Sequence, residues 1–184
     1  AILRAMQWYV TWVTENLLLS AFIQFAALGT AGEILGAFAS RRRPSGNVVQ
    51  WLAKALVWGC LGVLVKTSFT GFKGFLAALV EHGFLPAACE EIPLLRAFCL
   101  SALTNSMFGP LLMFLHRSTD NLITRASGYR GIDKSLATLA WFWLPAHTVT
   151  FALPLPFQMG LAALWSVALG IIMGFTKRSA KEAA

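Results

Sequence analysis

Long apolar runs separated by short charged loops set the pattern of this chain. A helix needs about 20 apolar residues to cross a bilayer. The first run that satisfies this covers residues 16–39, holds Gln24 and Glu33, and stops at Arg41, Arg42, Arg43 and Pro44. Gly29, Gly32 and Gly36 stand three and four apart in it, a small-residue stripe that predicts a close helix contact. The second run, 48–80, is too long for a perpendicular span, so it tilts or extends past the lipid. It carries Lys54, Lys66 and Lys73, the last two seven apart and therefore on one face. An acidic loop with Glu81, Glu90 and Glu91 leads to a third run, 94–116, which contains Thr104, Asn105, Ser106 and the Gly109–Pro110 pair. A polar, basic stretch, 117–134, follows.

The last apolar region covers 135–176 and is broken at Pro154 and Pro156. As one straight helix it would be roughly 60 Å long, twice a bilayer core. Two readings stand: one bent element, or two limbs that return to the same side. Arg41–Arg43 and the basic stretch 117–134 share a side after two crossings. The basic tail at Lys177, Arg178 and Lys181 joins them only if the last region crosses twice, which the positive-inside rule favours. The pattern therefore predicts an all-α integral membrane bundle of four to five transmembrane helices. Residues 1–15 form an amphipathic or interfacial segment, 16–176 one transmembrane domain, and 177–184 a frayed basic tail.

Composition strengthens this picture. Of 184 residues 57% are hydrophobic and 12% charged, with a mean hydropathy of +0.65. Soluble domains carry about 25% charged residues, so too few charges remain to coat a globule. The net charge of +7 lies in clusters between spans, which fits topology and anionic lipid rather than nucleic acid. Cys60, Cys89 and Cys99 match no metal spacing and no disulfide framework; Cys60 and Cys99 read as small packing residues. The chain opens on Ala1 rather than Met, which leaves room for a presequence removed upstream. Trp8, Trp12 and Trp51 fit an interfacial aromatic belt.

Residues 141–156 concentrate Trp141, Trp143, Pro145, His147, Thr148, Thr150, Pro154 and Pro156 in an apolar setting. Proline inside a membrane helix is tolerated where neighbours satisfy the freed backbone. The prolines are expected to set bends. His147 is expected to satisfy a carbonyl freed by Pro145, with titration as a gate the sharper alternative, and Thr148 and Thr150 to bond back to their own helix.

The order of these features resembles the family of four-helix organelle membrane proteins typified by Mpv-seventeen and the peroxisomal membrane proteins. Gly32–Glu33 stands where that family has a Gly-Asp pair. Thr104–Pro110 (TNSMFGP) stands at its Asp-Gln-x-x-Phe-Ala-Pro-like motif. Trp141–Pro154 stands at its last block, with Pro145, Phe151 and Pro154 matching. The departures are Thr104–Asn105 for Asp-Gln, Thr150 for an Asn, and Gln158 for an Arg. The resemblance covers residues 16–176 and implies a small-solute channel-like protein, in the mitochondrial inner membrane or else a peroxisomal or plastid membrane.

Ionic groups within spans are costly and face protein or water. Glu33, Lys66, Lys73, Thr104, Asn105, His147 and Thr150 are therefore the candidate pore or intramembrane polar residues. Lys66 and Lys73 would form a cationic lining for anionic metabolites; in the plainer reading Lys73 reaches the interface and Lys66 pairs with Glu33. Glu33 itself sits either in that pair or at the headgroups. A phosphate loop, His-Glu-x-x-His and Gly-x-Ser-x-Gly are all missing, so no catalytic, cofactor or metal site is expected. Two functions compete: the channel-like protein, and a non-catalytic accessory subunit of a larger membrane complex. Expected partners are lipid, including anionic lipid, and other membrane subunits or further copies of the chain. No internal repeat of the transporter kind is visible.

Overall fold

Backbone-to-backbone packing on glycine organises the bundle. A computed structural model describes residues 2–129 and 131–182, with side chains described for 3–129 and 131–172. Helix α1 (Ile2–Glu15) leads into α2 (Leu17–Ala39), and α3 (Val48–Glu81) returns antiparallel to it. A Cβ on Gly32 would lie 2.8 Å from the Ser166 carbonyl oxygen, and one on Gly36 would lie 2.6 Å from that of Gly170. Both distances are shorter than real side chains allow. The Gly32–Gly36 stripe thus brings α2 against the Ser166–Gly170 stripe of the last helix, α9 (Leu155–Glu182), in parallel register. On the other side of α2, a Cβ on Gly62 would press on Phe25 and on the Ala21 carbonyl, so α3 is also seated closely.

The third run is longer than its apolar pattern suggested. After a short turn, α4 (Ala88–Glu91), the helix α5 (Pro93–Leu103) continues through a wide π-turn, π1 (Thr104–Phe108), into α6 (Gly109–Thr124). The first part of the stretch expected to be a polar loop is therefore helical. Ser118 and Thr119 bond back to carbonyls of the preceding turn, Asp120 meets a lysine of α3, and the helix stops at Arg125, whose φ is 53°.

The last region forms two limbs. The first runs through α7 (Ile132–Thr138), a second π-turn, π2 (Leu139–Trp143), and α8 (Leu144–Ala152). It spans about 32 Å at 1.5 Å per residue and packs antiparallel on α5. The break falls at Leu153, where ψ is 157°, and α9 returns beside α2. Pro145 and Pro156 do not bend helices as expected: Pro145 stands just past π2, whose wide turn makes room for its ring within one limb, and Pro156 is the second residue of α9, where its missing N–H has no partner to lose. Only Pro154 sits at the bend.

Among the described residues four helices, Leu17–Ala39, Val48–Glu81, Pro93–Thr124 and Leu155–Ile172, are long and apolar enough to cross a membrane. Exposed Leu18, Leu19, Ile23, Leu52, Phe98 and Leu111 face outward; an apolar exterior of this kind faces lipid, and the protein is an integral membrane protein. The 40–47 and 125–129 loops lie at one end with Arg41–Arg43 and Arg125. The acidic 82–92 loop, the Leu153 break and α1 lie at the other. Tyr9 fixes α1 there, donating to Gln24 Oε1 at 3.0 Å and stacking on Phe157. The backbone of the expected frayed tail continues in α9 to Glu182; the side chains of Lys177, Arg178 and Lys181 lie outside the described residues. Cys60 is exposed and Cys99 half-buried, so only Cys89 is a buried thiol.

Gly36→Leu should separate α2 from α9 and lower unfolding free energy in micelles by about 3 kcal/mol, the upper range for overpacking. Gly74→Leu should be silent, because a Cβ there meets nothing within 4 Å. Equal loss in both variants would remove the glycine seam as the cause.

Candidate functional site

A cavity of about 250 Å³ lies between α2, α3, α6, α8 and α9. Phe25, Gly29, Gly32 and Glu33 contribute from α2, and Trp58, Val65 and Phe69 from α3. Thr104, Asn105, Gly109 and His116 line it from π1 and α6, Trp143 and His147 from π2 and α8, and Ala162 and Ser166 from α9. It reaches from the middle of the spans towards the basic end.

The two π-turns shape its wall. Each ends two residues before a proline: Gly109 N–H donates to the Thr104 carbonyl and Leu144 N–H to the Leu139 carbonyl, five residues back. Widening the turn relieves the clash a proline ring makes with the carbonyl four residues earlier. The turns face each other and interlock. Asn105 Nδ2 donates to the Ser101 carbonyl at 2.8 Å and to the Trp143 carbonyl at 3.4 Å. Ser101 Oγ donates to the Leu144 carbonyl at 2.7 Å, and Thr148 Oγ1 donates to the same oxygen at 2.7 Å. His147 does not take a carbonyl, contrary to expectation. Its Nδ1 lies 3.3 Å from Asn105 Oδ1, and its ring stands edge-on to Phe69. Ser101, Asn105 and Thr148 bond to the Trp143 and Leu144 carbonyls beside it, and the His147 ring is turned to the Asn105 side chain instead.

At the basic end an ion cluster closes the cavity wall. Lys54 Nζ lies 2.5 Å from Glu33 Oε2 and 2.9 Å from Asp120 Oδ1. Trp58 Nε1 donates to the other Glu33 oxygen at 2.7 Å, and the His116 ring packs on Trp58 with centroids 4.5 Å apart. Glu33 therefore pairs with Lys54 and not with the expected Lys66. The antiparallel α2–α3 contact puts residue 33 opposite 54, while Lys66 lies three turns towards the membrane centre.

Of the residues singled out from sequence, Gly32, Glu33, Thr104, Asn105, Gly109 and His147 meet at the cavity. The others do not. Lys66 is half-buried off the wall. Lys73 Nζ donates to Gln158 Oε1 at 2.9 Å, and Gln158 Nε2 in turn donates to the Leu153 carbonyl at the helix break. Thr150 is fully buried, donates to the Ala146 carbonyl and accepts from Trp165 Nε1 at 3.1 Å. Phe151 packs on Phe69, Pro110 opens α6 beside the wall, Pro145 opens α8, Pro154 marks the break, and Trp141 faces lipid at 54% exposure. Lys54, Trp58, His116 and Asp120 were not singled out. Their signal was present: Lys54–Trp58 and His116–Asp120 are both spaced by four, so each pair shares one helix face.

Three cavity-lining residues carry buried polar atoms without a partner: Thr104 Oγ1, His116 Nδ1 and Trp143 Nε1. Buried polar groups are nearly always paired, so this wall departs from an ordinary core. Among the described residues no three His, Cys, Asp or Glu side chains gather as metal ligands. Comparison with protein-family models, curated proteins and solved structures finds no match.

Lys54→Met should destabilise the protein by about 2–3 kcal/mol, below the 3–5 of a fully buried broken pair because the cluster is partly exposed. Adding Glu33→Gln and Asp120→Asn should recover most of that loss. Melting in micelles measures both; a triple variant no better than Lys54→Met contradicts the cluster's assignment as one unit.

Proposed function

We propose that this chain is a small-solute channel-like protein of an organelle membrane, with the cavity as one segment of its path. The observation that carries the reading is the cavity itself. Protein interiors leave few voids larger than a water molecule, yet about 250 Å³ stays open here within the spans. The Glu33–Lys54–Asp120 cluster at the basic end of the cavity ties α2, α3 and α6 together. Passage would require those helices to part. The resemblance at Gly32–Glu33, Thr104–Pro110 and Trp141–Pro154 supports an organelle setting, the mitochondrial inner membrane first. The basic loops at Arg41–Arg43 and Arg125 favour retention of that end on the side of synthesis or import.

A specific surface favours a second reading, an accessory subunit or a homo-oligomer. Thr67, Gly71, Gly74 and Ala78 are exposed along α3, and a Cβ on either glycine meets nothing within 4 Å. Such a stripe suits close approach by another membrane helix.

Purified protein in planar bilayers should give discrete currents or solute flux in vesicles, and Ala162→Leu, which adds bulk to the cavity wall, should reduce them several-fold. Wild-type vesicles that remain impermeable to small solutes would sink the channel reading. Native gels of the membrane should show a high-mass band lost in Gly71→Leu/Gly74→Leu if the second reading holds; a monomer band alone eliminates it.

A further inference from the structure

Among the described residues the wall of the cavity holds no lysine or arginine that could meet an anionic guest. Lys54 lies behind Glu33, Lys66 lies off the wall, and Lys73 is engaged by Gln158. Glu33, the carboxylate in the wall, has one oxygen on Lys54 and the other on Trp58. A charged solute would be desolvated there without compensation. We propose that the cavity binds a neutral, flat, mainly apolar molecule bearing carbonyl-type hydrogen-bond acceptors, a quinone-like ring rather than a charged metabolite. This rests on reading the cavity as a solute site, and it replaces the anionic metabolite expected from Lys66 and Lys73.

Shape and chemistry agree. Rings of Phe25, Trp58, Phe69, Trp143 and His147 contribute to the wall, and aromatic faces stack on flat guests. An apolar cavity of roughly 150 Å³ accepts benzene; about 250 Å³ leaves room for a second fused or substituent ring. Thr104 is 2% exposed, and its hydroxyl has no partner. The unpaired Trp143 Nε1 is a donor only, so the matching guest atom is an acceptor. Thr104 and Trp143 stand at the interlocked π-turns, and the unpaired His116 Nδ1 belongs to the far, basic end of the wall. His116 stands twelve residues beyond Thr104 on the same helical stretch, roughly 18 Å along it at 1.5 Å per residue, so Thr104 and Trp143 are the groups matched to the guest's acceptor.

The probe is 1,4-naphthoquinone, set against its negatively charged 2-sulfonate, both titrated into the purified chain in nanodiscs while tryptophan emission is followed. The neutral probe should quench saturably and the sulfonate should bind at least tenfold more weakly. Trp143→Phe should remove part of the quench. Ala162→Phe, which fills the cavity, should abolish saturation, and Thr104→Val, which removes the hydroxyl but keeps the shape, should weaken binding about tenfold. Leu52→Ala on the outer face should change nothing. Equal binding of the two probes, quenching that never saturates, or full affinity in Thr104→Val overturns the proposal. Should Ala162→Phe fail to fold, Thr104→Val carries the test. Saturable binding without flux removes only the channel reading; flux without saturable binding removes only this one.

Discussion

In a bilayer a backbone carbonyl has no water to turn to, and each one left open costs several kcal/mol. This chain places Pro110, Pro145, Pro154 and Pro156 within or beside its spans, and the surrounding helices are shaped to accommodate them. Two prolines are preceded by wide turns that move the clashing carbonyl aside. The turns lie face to face, so side chains of one helix serve the backbone of the other: Ser101 and Asn105 reach Leu144 and Trp143. At the third break, Gln158 reaches the Leu153 carbonyl, and Lys73 of α3 holds Gln158 in place. A residue that looked like a lost arginine therefore has a definite structural task.

The cavity is a geometric consequence of two opposed tendencies. Glycine on α2 and α9 draws those helices to backbone contact, nearer than side chains would permit. The π-turns on the opposite wall bulge their helices outward and resist collapse. Rigid rods pinned closely on one side and swollen on the other leave a gap between, and the residues along it are small or flat: Gly29, Gly32, Gly109, Ala162, and the rings of Trp58 and Trp143. Filling such a gap would need the π-turns to revert to regular helix, which the prolines oppose.

Much of this was readable from the residues. Span limits at 16–39 and 48–80 follow hydropathy, because lipid exposure demands an unbroken apolar surface. The glycine stripe on α2 announced a close contact, and the two basic loops and basic tail favoured two final limbs, as found. The third span ran past its apolar end because Asp120 and His116 face protein rather than lipid, so hydropathy undervalued them. The π-turns left no compositional mark beyond a proline, and proline alone does not distinguish a bend from a helix start. Pair identity was also hidden: pairing Glu33 with Lys66 rather than Lys54 is a question of helix register, which single-chain spacing does not settle.

Charge placement separates what holds the bundle from what faces the cavity. The ion cluster brings together Lys54, Glu33 and Asp120 with side chains 13–30% exposed, near the end of the span where headgroup water lowers the desolvation cost. Lys73 takes the same course towards the other end. Between them the wall is uncharged apart from a carboxylate whose oxygens are both engaged. A cluster at the membrane edge can be broken by water more readily than one at the centre. The neutral middle and the ionic rim are thus one arrangement: the rim fixes helix register, and the middle is left free to accept a guest without charge.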